Sequence, residues 1–193
     1  MKVLVSILFL FLFHDVEGHG YVCNPPSRNA AWLCGFPQDE PKNYDQMALN
    51  AGGVSKMYPN YPNPSPRLYG VCGDEASGPQ HHAAGGVHDR GVRQTYCAGS
   101  TIKVQVNITS YHKGWFDFQL CSTYPETESC FQSIHKHSIE GTSTEGGQPS
   151  YTIPITLPFV QCDRCVLRWV WTTNNSPGLP PEMFINCADI QII

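Results

Sequence analysis

Nitrogen ligands are the first chemistry that the sequence offers, and His19 is the residue that could supply two of them. It stands in the segment HDVEGHGYVCNPPSRNA, residues 14–30, a few residues after a run of apolar side chains. If His19 opens the processed chain, its α-amine, with a reference pKa of about 8, can deprotonate onto a metal. Its ring nitrogen Nδ1 has the reach to close a chelate ring with that amine. With one further imidazole the three nitrogens would form a T, and nitrogen ligands in a tetragonal plane suit Cu(II) best among the common divalent ions.

The segment before His19 decides whether this histidine can be terminal. Lys2 supplies a positive charge, Val3 to Phe13 is apolar apart from one serine, and the polar HDVEG follows. This order is typical of a secretory signal peptide. The apolar run is shorter than the roughly 20 residues that a membrane-spanning helix needs. We therefore predict a secreted, extracellular protein.

Two cleavage positions satisfy the rule that small residues stand one and three positions before the cut. Val16 and Gly18 fit a cut after Gly18, which leaves His19 at the new N-terminus. A rival cut after Gly20 also fits and would remove His19. We favour the first cut, which predicts a signal peptide at 1–18 and a mature domain at 19–193.

The composition excludes several classes of protein. The formal net charge is −4 and charged residues make up 15% of the chain, so a broad basic surface is excluded and nucleic acid is not expected as a partner. No apolar run long enough to span a membrane follows the leader, so no membrane partner is expected. The mature length corresponds to one domain with a sizeable core, and we expect a monomer.

Cysteines indicate a disulfide framework, because all nine follow the leader and the predicted compartment is oxidising. Cys121 and Cys130 bracket a short loop after a strand, and we expect them to pair. Cys162 and Cys165 form a CxxC, which could be a redox pair, half of a zinc site or two separate disulfide partners. We favour separate partners, since no second CxxC or fitting histidine pair is present. We expect Cys187 to join one of them, and the odd thiol stays unassigned.

The elements that must position these groups are strands rather than helices. Nine of the sixteen prolines lie between Pro25 and Pro79, so residues 24–99 predict a long, disulfide-tied loop region. Beyond it, alternating apolar residues predict strands at 101–108, 114–121, 151–157, 164–172 and 184–193. This pattern favours an all-β fold, an immunoglobulin- or fibronectin-III-like antiparallel β-sandwich with long loops. In the last strand, Glu182, Phe184 and Asn186 should share a face, with Cys187 opposite.

Motifs spread through the chain resemble one known family. They are HGYVCNPPSRNA at the mature start, VCGDEASGP at 71–79, AAGG at 83–86, ITSYHKGWFDFQLC at 108–121, QCDRCVLRWVWTT at 161–173 and EMFINCADIQI at 182–192. On these motifs the chain resembles the lytic polysaccharide monooxygenases, auxiliary activity family 15. The resemblance covers nearly the whole mature chain.

The resemblance implies a copper site called a histidine brace. His19 would supply its amine and a ring nitrogen, and His112, at the family's H-x-G position, would supply the third nitrogen to one copper ion. Phe184 would occupy the axial position, where it offers copper no oxygen ligand. Glu182 is a candidate acid beside the copper that positions oxygen or peroxide. The remaining histidines of the mature chain are interpreted as surface residues.

The resemblance also implies the activity and the partners. The expected reaction is oxidative cleavage of glycosidic bonds, at C1 or C4, in insoluble chitin or cellulose. It needs an external electron donor and hydrogen peroxide or O₂. Aromatic side chains near the brace could form a flat surface for a crystalline chain, and the candidates are Tyr21, Trp32, Tyr58, Tyr61 and Tyr111.

Two non-enzymatic functions remain as alternatives to the expected oxidation. A secreted copper-binding or copper-delivery protein could use the same brace without turnover. A polysaccharide-binding module could lack the metal altogether.

Asn107-Ile108-Thr109 is a glycosylation sequon, so we predict a glycan on Asn107.

Overall fold

The computed structural model describes residues 19–140, 149–174 and 177–193. The predicted signal peptide, 1–18, lies outside these ranges. The strands are β1 (His19–Asn24), β2 (Gln94–Tyr96), β3 (Thr101–Ser110), β4 (Trp115–Cys121), β5 (Gln132–Ser138), β6 (Ser150–Thr156), β7 (Cys162–Thr172) and β8 (Met183–Ile192). One helical turn, α1 (Val54–Met57), and one 3₁₀ turn at Glu128–Cys130 complete the regular elements of the described residues.

The strands form two sheets that pack face to face, as the sequence predicts. The smaller sheet has the order β1-β3-β6 and the larger sheet the order β2-β8-β7-β4-β5. The pairs are antiparallel except one, because β2 runs parallel to β8. The all-β sandwich is therefore confirmed, with β2 as a short parallel addition at its edge.

Alternation along the strands builds the core between the sheets. In β3, Ile102, Val104, Val106 and Ile108 are buried while their neighbours face outward. They meet Phe116 and the other inward-facing rings of the larger sheet. Truncating one fully buried aromatic side chain of this kind costs about 3–5 kcal/mol. The core therefore fixes the strand ends from which the candidate site residues project.

The face of β8 follows the predicted alternation. Phe184 lies in the core between the sheets, and the Asn186 side chain accepts a hydrogen bond from the backbone of Val22 at 3.1 Å. Ile185 and Cys187 face the opposite way, toward the loop region.

The long loop region covers the outer face of the larger sheet. Ala51 and Met57 pack against Val170 and Ile185 of that face. Deeper in the loop region, Arg28 donates to Asp189 of β8 at 2.7 Å and to Glu126 at 2.6 Å, with all three side chains buried. The loop region is therefore a packed layer of the domain.

The cysteine pairings correct two of the sequence-based expectations. Cys121 pairs with Cys130, as expected. Cys187 pairs with Cys72, and not with the CxxC, because it faces the loop region while the CxxC lies at the start of β7, farther along the sheet. Cys162 and Cys165 are joined to each other, so the expectation of separate partners is wrong. A fourth disulfide ties Cys23 to Cys34, and Cys97 is an exposed free thiol.

One of the remaining histidines also departs from the prediction. His82 is buried, and its Nδ1 lies 2.8 Å from the Asp74 carboxylate. The ring of His88 stacks on it with centroids 4.5 Å apart. Adjacent histidines in a polar sequence gave no sign of this burial, which the folding of the loop region creates. Within the described ranges, no helix has the length and apolar character that a bilayer crossing requires.

Candidate metal centre

His19 is held at the first position of β1, at the edge of the sandwich. It pairs with Ser110, the last residue of β3, and the register shifts before Gly20 pairs with Ile108. Gly20 allows this close packing, since a Cβ there would lie 2.6 Å from the Ile108 side chain. The backbone N–H of Gly20 donates to Met47 of the loop region at 3.1 Å. His19 is thus anchored by the strand pair on one side and the loop on the other.

His112 lies two residues beyond Ser110 and is 4% exposed. Both of its ring nitrogens are buried without a hydrogen-bond partner among the described residues. A buried polar group left unpaired costs about 1–3 kcal/mol, so such groups in native proteins have a reason. A bound metal ion would satisfy one of these nitrogens.

The strand register brings the two histidines close together. His19 and Ser110 are opposite each other, about 5.5 Å apart at Cα, and two residues add at most about 7 Å, so the Cα atoms of His19 and His112 are within about 12 Å. Below them lie two rings of the larger sheet. The His19 ring centroid is 6.3 Å from that of Phe184, and the His112 centroid is 6.4 Å from that of Trp171.

Phe184 is the buried ring next to His19. It is fully buried, lies opposite Trp171 in the β7–β8 ladder, and its ring centroid is 5.1 Å from that of Trp171. A phenyl ring offers no oxygen or nitrogen ligand. On this side the site therefore presents an apolar wall.

Glu182 brings a carboxylate to the side of His112. Its Oε2 lies 3.6 Å from His112 Nδ1, beyond hydrogen-bonding distance, and its side chain is 12% exposed. Its Oε1 accepts a hydrogen bond from the Asn50 side chain at 3.0 Å. The carboxylate is on the Nδ1 side of the imidazole, which leaves Nε2 as the nitrogen free to face a metal.

The donor set fits a metal only when the chain terminus is included. In the described part of the chain, no three His, Cys, Asp or Glu side chains come together as a metal site. A metal held by His19 and His112 would therefore need a donor that is not one of these side chains. The α-amine of a chain that begins at His19 is a donor of that kind.

Comparison with known proteins assigns the family. A family model described as "Lytic polysaccharide mono-oxygenase, cellulose-degrading" matches residues 19–190. The chain belongs to this family. Family membership makes the protein a copper-dependent polysaccharide monooxygenase, an oxidoreductase of a family that acts on insoluble polysaccharides with an external reductant.

Solved structures agree with this assignment. The AA15 lytic polysaccharide monooxygenase of Thermobia domestica, in the Cu(I) state, is 31% identical over 90% of this chain and 98% of its own, with a TM-score of 0.76. The catalytic domain of a Listeria monocytogenes enzyme is 16% identical over 91% of this chain and 99% of its own, with a TM-score of 0.63, and supports the fold alone. No curated protein matches the sequence.

The loop that carries His112 in this lytic polysaccharide monooxygenase is clamped from three sides. The backbone N–H of Asn174 donates to the His112 carbonyl at 3.0 Å, and the Trp171 indole donates to the Lys113 carbonyl at 2.8 Å. Glu140 accepts from the Gly114 N–H at 3.1 Å and from the Asn174 side chain at 2.7 Å. These bonds hold the backbone of the His112 loop in place before any ligand binds.

Two of the five aromatic candidates for a substrate surface pack against core clusters. Tyr111 packs against the main core, and its hydroxyl donates to the Ile139 carbonyl. Tyr58 packs against the cluster under the loop region. Both rings are partly buried, because the loops fold back onto the sheets, and their part in a substrate surface stays a prediction.

The other three aromatic candidates retain accessible surface. Tyr21 is half-buried on β1, two residues from His19. Trp32 is half-buried, and its ring lies edge-on to Tyr44 at 5.5 Å. Tyr61 is 50% exposed, and its hydroxyl donates to the Gly178 carbonyl at 2.6 Å.

Sequence reasoning missed three residues around the site: Asn50, which holds Glu182; Glu140, which holds the His112 loop; and Tyr44, which is 78% exposed beside Trp32. Asn50 and Glu140 act across a large sequence separation, through a single hydrogen bond or a shared acceptor. No local motif marks such contacts.

The predicted glycosylation site lies on the outer face of the smaller sheet. Asn107 is on β3, with the solvent-facing residues of the alternating pattern, and its Oδ1 accepts from the Ser150 hydroxyl at 2.9 Å. The glycan itself stays a prediction.

Proposed function

We propose that the processed protein begins at His19, after removal of 1–18, and that residues 19–193 hold one copper ion. The ligands are the His19 α-amine, a ring nitrogen of His19 and Nε2 of His112. The single observation that carries this proposal is the buried His112 ring, with both nitrogens unpaired among the described residues, beside the first residue of β1. The family match that starts at residue 19 supports the same boundary.

The proposed reaction is oxidative cleavage of glycosidic bonds in chitin or cellulose, at C1 or C4. A copper ion held by these ligands would supply the redox chemistry, with an external electron donor and hydrogen peroxide or O₂ as co-reactants, for removal of a hydrogen from the sugar carbon. The protein is proposed to work outside the cell as a monomer.

The chain's own residues position this chemistry. The hydrogen bonds of the His112 loop fix the backbone from which its imidazole projects, so little reorganisation of the loop is needed at the moment of reaction. Phe184 excludes water and oxygen ligands from the side facing the core. Glu182, held by Asn50, presents a carboxylate that can accept a hydrogen bond from peroxide or hold a proton at Oε2.

The surface around His19 is proposed to receive the insoluble polysaccharide. Tyr21, Trp32 and Tyr44 expose ring surface on β1 and on the loop that bonds to it. Aromatic rings offer apolar faces to sugar C–H groups, while their polar tips stay hydrated. Tyr61, beyond Gly178, is the fourth candidate contact.

The test is to incubate the secreted, copper-loaded protein with chitin and with cellulose, each with ascorbate and hydrogen peroxide, and to search for oxidised oligosaccharides by mass spectrometry. Products are expected from the wild type and from His81→Ala, a matched loss of an exposed histidine. They should be absent from His112→Ala. Copper binding without products on either substrate would favour the copper-carrier function, and adhesion without copper binding would favour the binding module.

A further inference from the structure

A groove of about 450 Å³ lies on the outer face of the larger sheet, where the loop region leaves β4 and β7 uncovered. Its lining includes Tyr69, Trp115, Asp117, Gln119, Lys136 and Arg168. Volumes of roughly 300–1,000 Å³ are typical of small-molecule sites. None of its lining residues is a proposed copper ligand or belongs to the surface around His19.

The aromatic part of the lining suits the face of a sugar ring. Trp115 is 42% exposed, although it lies within β4 and is flanked by strands on both sides. Tyr69 also lines the groove, and its hydroxyl donates to Glu128 at 2.8 Å. The exposed face of Trp115 offers an apolar surface to a ligand in the groove.

The polar part of the lining is already ordered. The Gln119 amide donates to Asp117 at 2.7 Å and accepts from Arg168 Nε at 2.8 Å. Ser133 donates to the other oxygen of Asp117 at 2.6 Å. A fixed array of donors and acceptors loses little entropy when it binds hydroxyl groups, so it favours a polyhydroxylated ligand.

The charges of the groove favour a neutral ligand. Arg168 is buried and paired with Glu128 at 2.5 Å, and its guanidinium lies over the Phe131 ring at 3.8 Å. The lining also holds the cations Arg67 and Lys136 and the carboxylate of Asp117, so three positive groups stand against two negative ones. This near balance gives a highly charged ligand little advantage over a neutral one.

The position of the groove also disfavours a peptide that adds a strand. Its floor is the face of β4 and β7, and both strands are paired on both sides in the sheet. Backbone hydrogen bonds are therefore used within the sheet, and recognition must come from side chains.

We propose that this groove binds a single chain of a neutral oligosaccharide, as a second carbohydrate site apart from the copper centre. The proposal goes beyond the oxidation and stands without it, because binding here needs no metal. Trp115 stacks on a sugar ring, and Asp117 and Gln119 bond to its hydroxyl groups.

The test is to titrate the secreted protein with cellohexaose and with chitohexaose, with copper and after chelation, by calorimetry and by amide NMR shifts. Binding is expected with at least one hexasaccharide, equally in both metal states, with shifts centred on β4 and β7. Trp115→Ala should weaken it by at least about tenfold, since exposed aromatic anchors dominate such contacts. Phe159→Ala, which removes a ring that is 89% exposed in another part of the chain, should leave it unchanged.

Three results would overturn this second site. They are no binding of either hexasaccharide at millimolar concentration, unchanged binding by a folded Trp115→Ala variant, and tighter binding of a sulfated hexasaccharide than of the neutral ones. Failure here is distinct from failure of the proposed oxidation, because product formation is measured separately and depends on His112.

Discussion

His112 carries the clearest chemical signal at the scale of single residues. A surface histidine is hydrated and a core histidine is hydrogen-bonded, whereas His112 is buried and unpaired at both nitrogens among the described residues. Its neighbours hold the backbone and leave the ring free. Single substitutions at Glu140 and at Phe184 test how these neighbours act on the site.

The first prediction concerns Glu140, which we expect to act on His112 only through position. Glu140→Ala removes the acceptor for Gly114 and Asn174, so the loop loosens and stability falls by about 1–2 kcal/mol. Copper affinity should fall, and the Cu(II) electron paramagnetic resonance spectrum should broaden. Glu140→Gln keeps the acceptor oxygen and should restore a spectrum close to wild type. A wild-type spectrum and affinity in Glu140→Ala would refute this role.

The second prediction concerns Phe184 as a wall and not a ligand. Phe184→Leu loses the ring contact with Trp171 and should cost about 1–2 kcal/mol in chemical denaturation. Because neither side chain offers a donor, the Cu(II) spectrum should stay unchanged. Phe184→Tyr adds a hydroxyl next to the site and should shift the spectrum. A large spectral change in Phe184→Leu would mean that the ring acts on the copper directly.

Sequence reasoning at this scale found the residues with motif support and missed those that act at a distance. His19, His112, Phe184 and Glu182 are close in space, although their ligand and catalytic roles stay predictions. Asn50 and Glu140 were missed because a single long-range hydrogen bond leaves no pattern. Tyr58 and Tyr111 are partly buried against core clusters, which composition could not reveal, and their contact with a substrate stays a prediction.

At the scale of elements, the turn between β3 and β4 sets the position of His112. Lys113 and Gly114 both have positive φ, 51° and 94°, and the turn closes against the end of β7. A Cβ on Gly114 would overlap with the backbone of Thr172 and Thr173. The turn therefore requires glycine for both its dihedral angles and its space.

We expect Gly114→Ala to destabilise the protein by more than about 3 kcal/mol, because strain and overlap combine. Gly35→Ala is the matched control. Gly35 has φ 107°, but a Cβ added there would meet no atom within 4 Å, so only the dihedral cost of about 1–2 kcal/mol applies. Urea denaturation of both variants measures the difference. Equal losses would show that the packing against β7 is not tight.

The strands that the sequence predicted are those with a clear alternation into the core. Strands β3, β4 and β6 alternate between buried and outward-facing residues, so their pattern is visible. Strands β7 and β8 are buried at nearly every position, because the loop region covers their outer face, and their apolar side chains mark them in the sequence. Strands β2 and β5 are short or polar edge strands, and β1 contains His, Gly and Asn, so each lacks that signal. The pairing of Cys187 was wrong for a related reason, since the fold of the loop region was not accessible from periodicity.

At the scale of the whole molecule, the loop region is an ionic layer over the larger sheet, and it should make stability depend on pH. Burial, followed by the nearby charges of His82 and His81, lowers the pKa of His88 from 6.5 to about 4. Burial alone would raise the pKa of Asp89, but hydrogen bonds from Tyr124 and Gly85 and the charge of Arg28 lower it to about 2.

Both pKa shifts lower the stability of the folded protein as the pH falls. Between pH 6.5 and 4 the unfolded chain protonates at His88 and the folded chain does not, so stability falls as pH falls. Between about pH 4 and 2 the same holds for Asp89. The urea midpoint of the chelator-treated protein should therefore decline below pH 6.5, and less steeply to pH 4 in His88→Asn. Identical slopes for the variant and the wild type would exclude His88 as a cause.

The proposed oxidation depends on copper being held by the terminal amine and ring of His19 together with the ring of His112. A crystal structure of the secreted, copper-loaded protein would show this directly. We predict a chain that starts at His19, with one copper bonded to the amine and to one ring nitrogen each of His19 and His112, above Phe184. A chain that starts at Tyr21, or copper bound elsewhere with the His112 ring still unliganded, would contradict it.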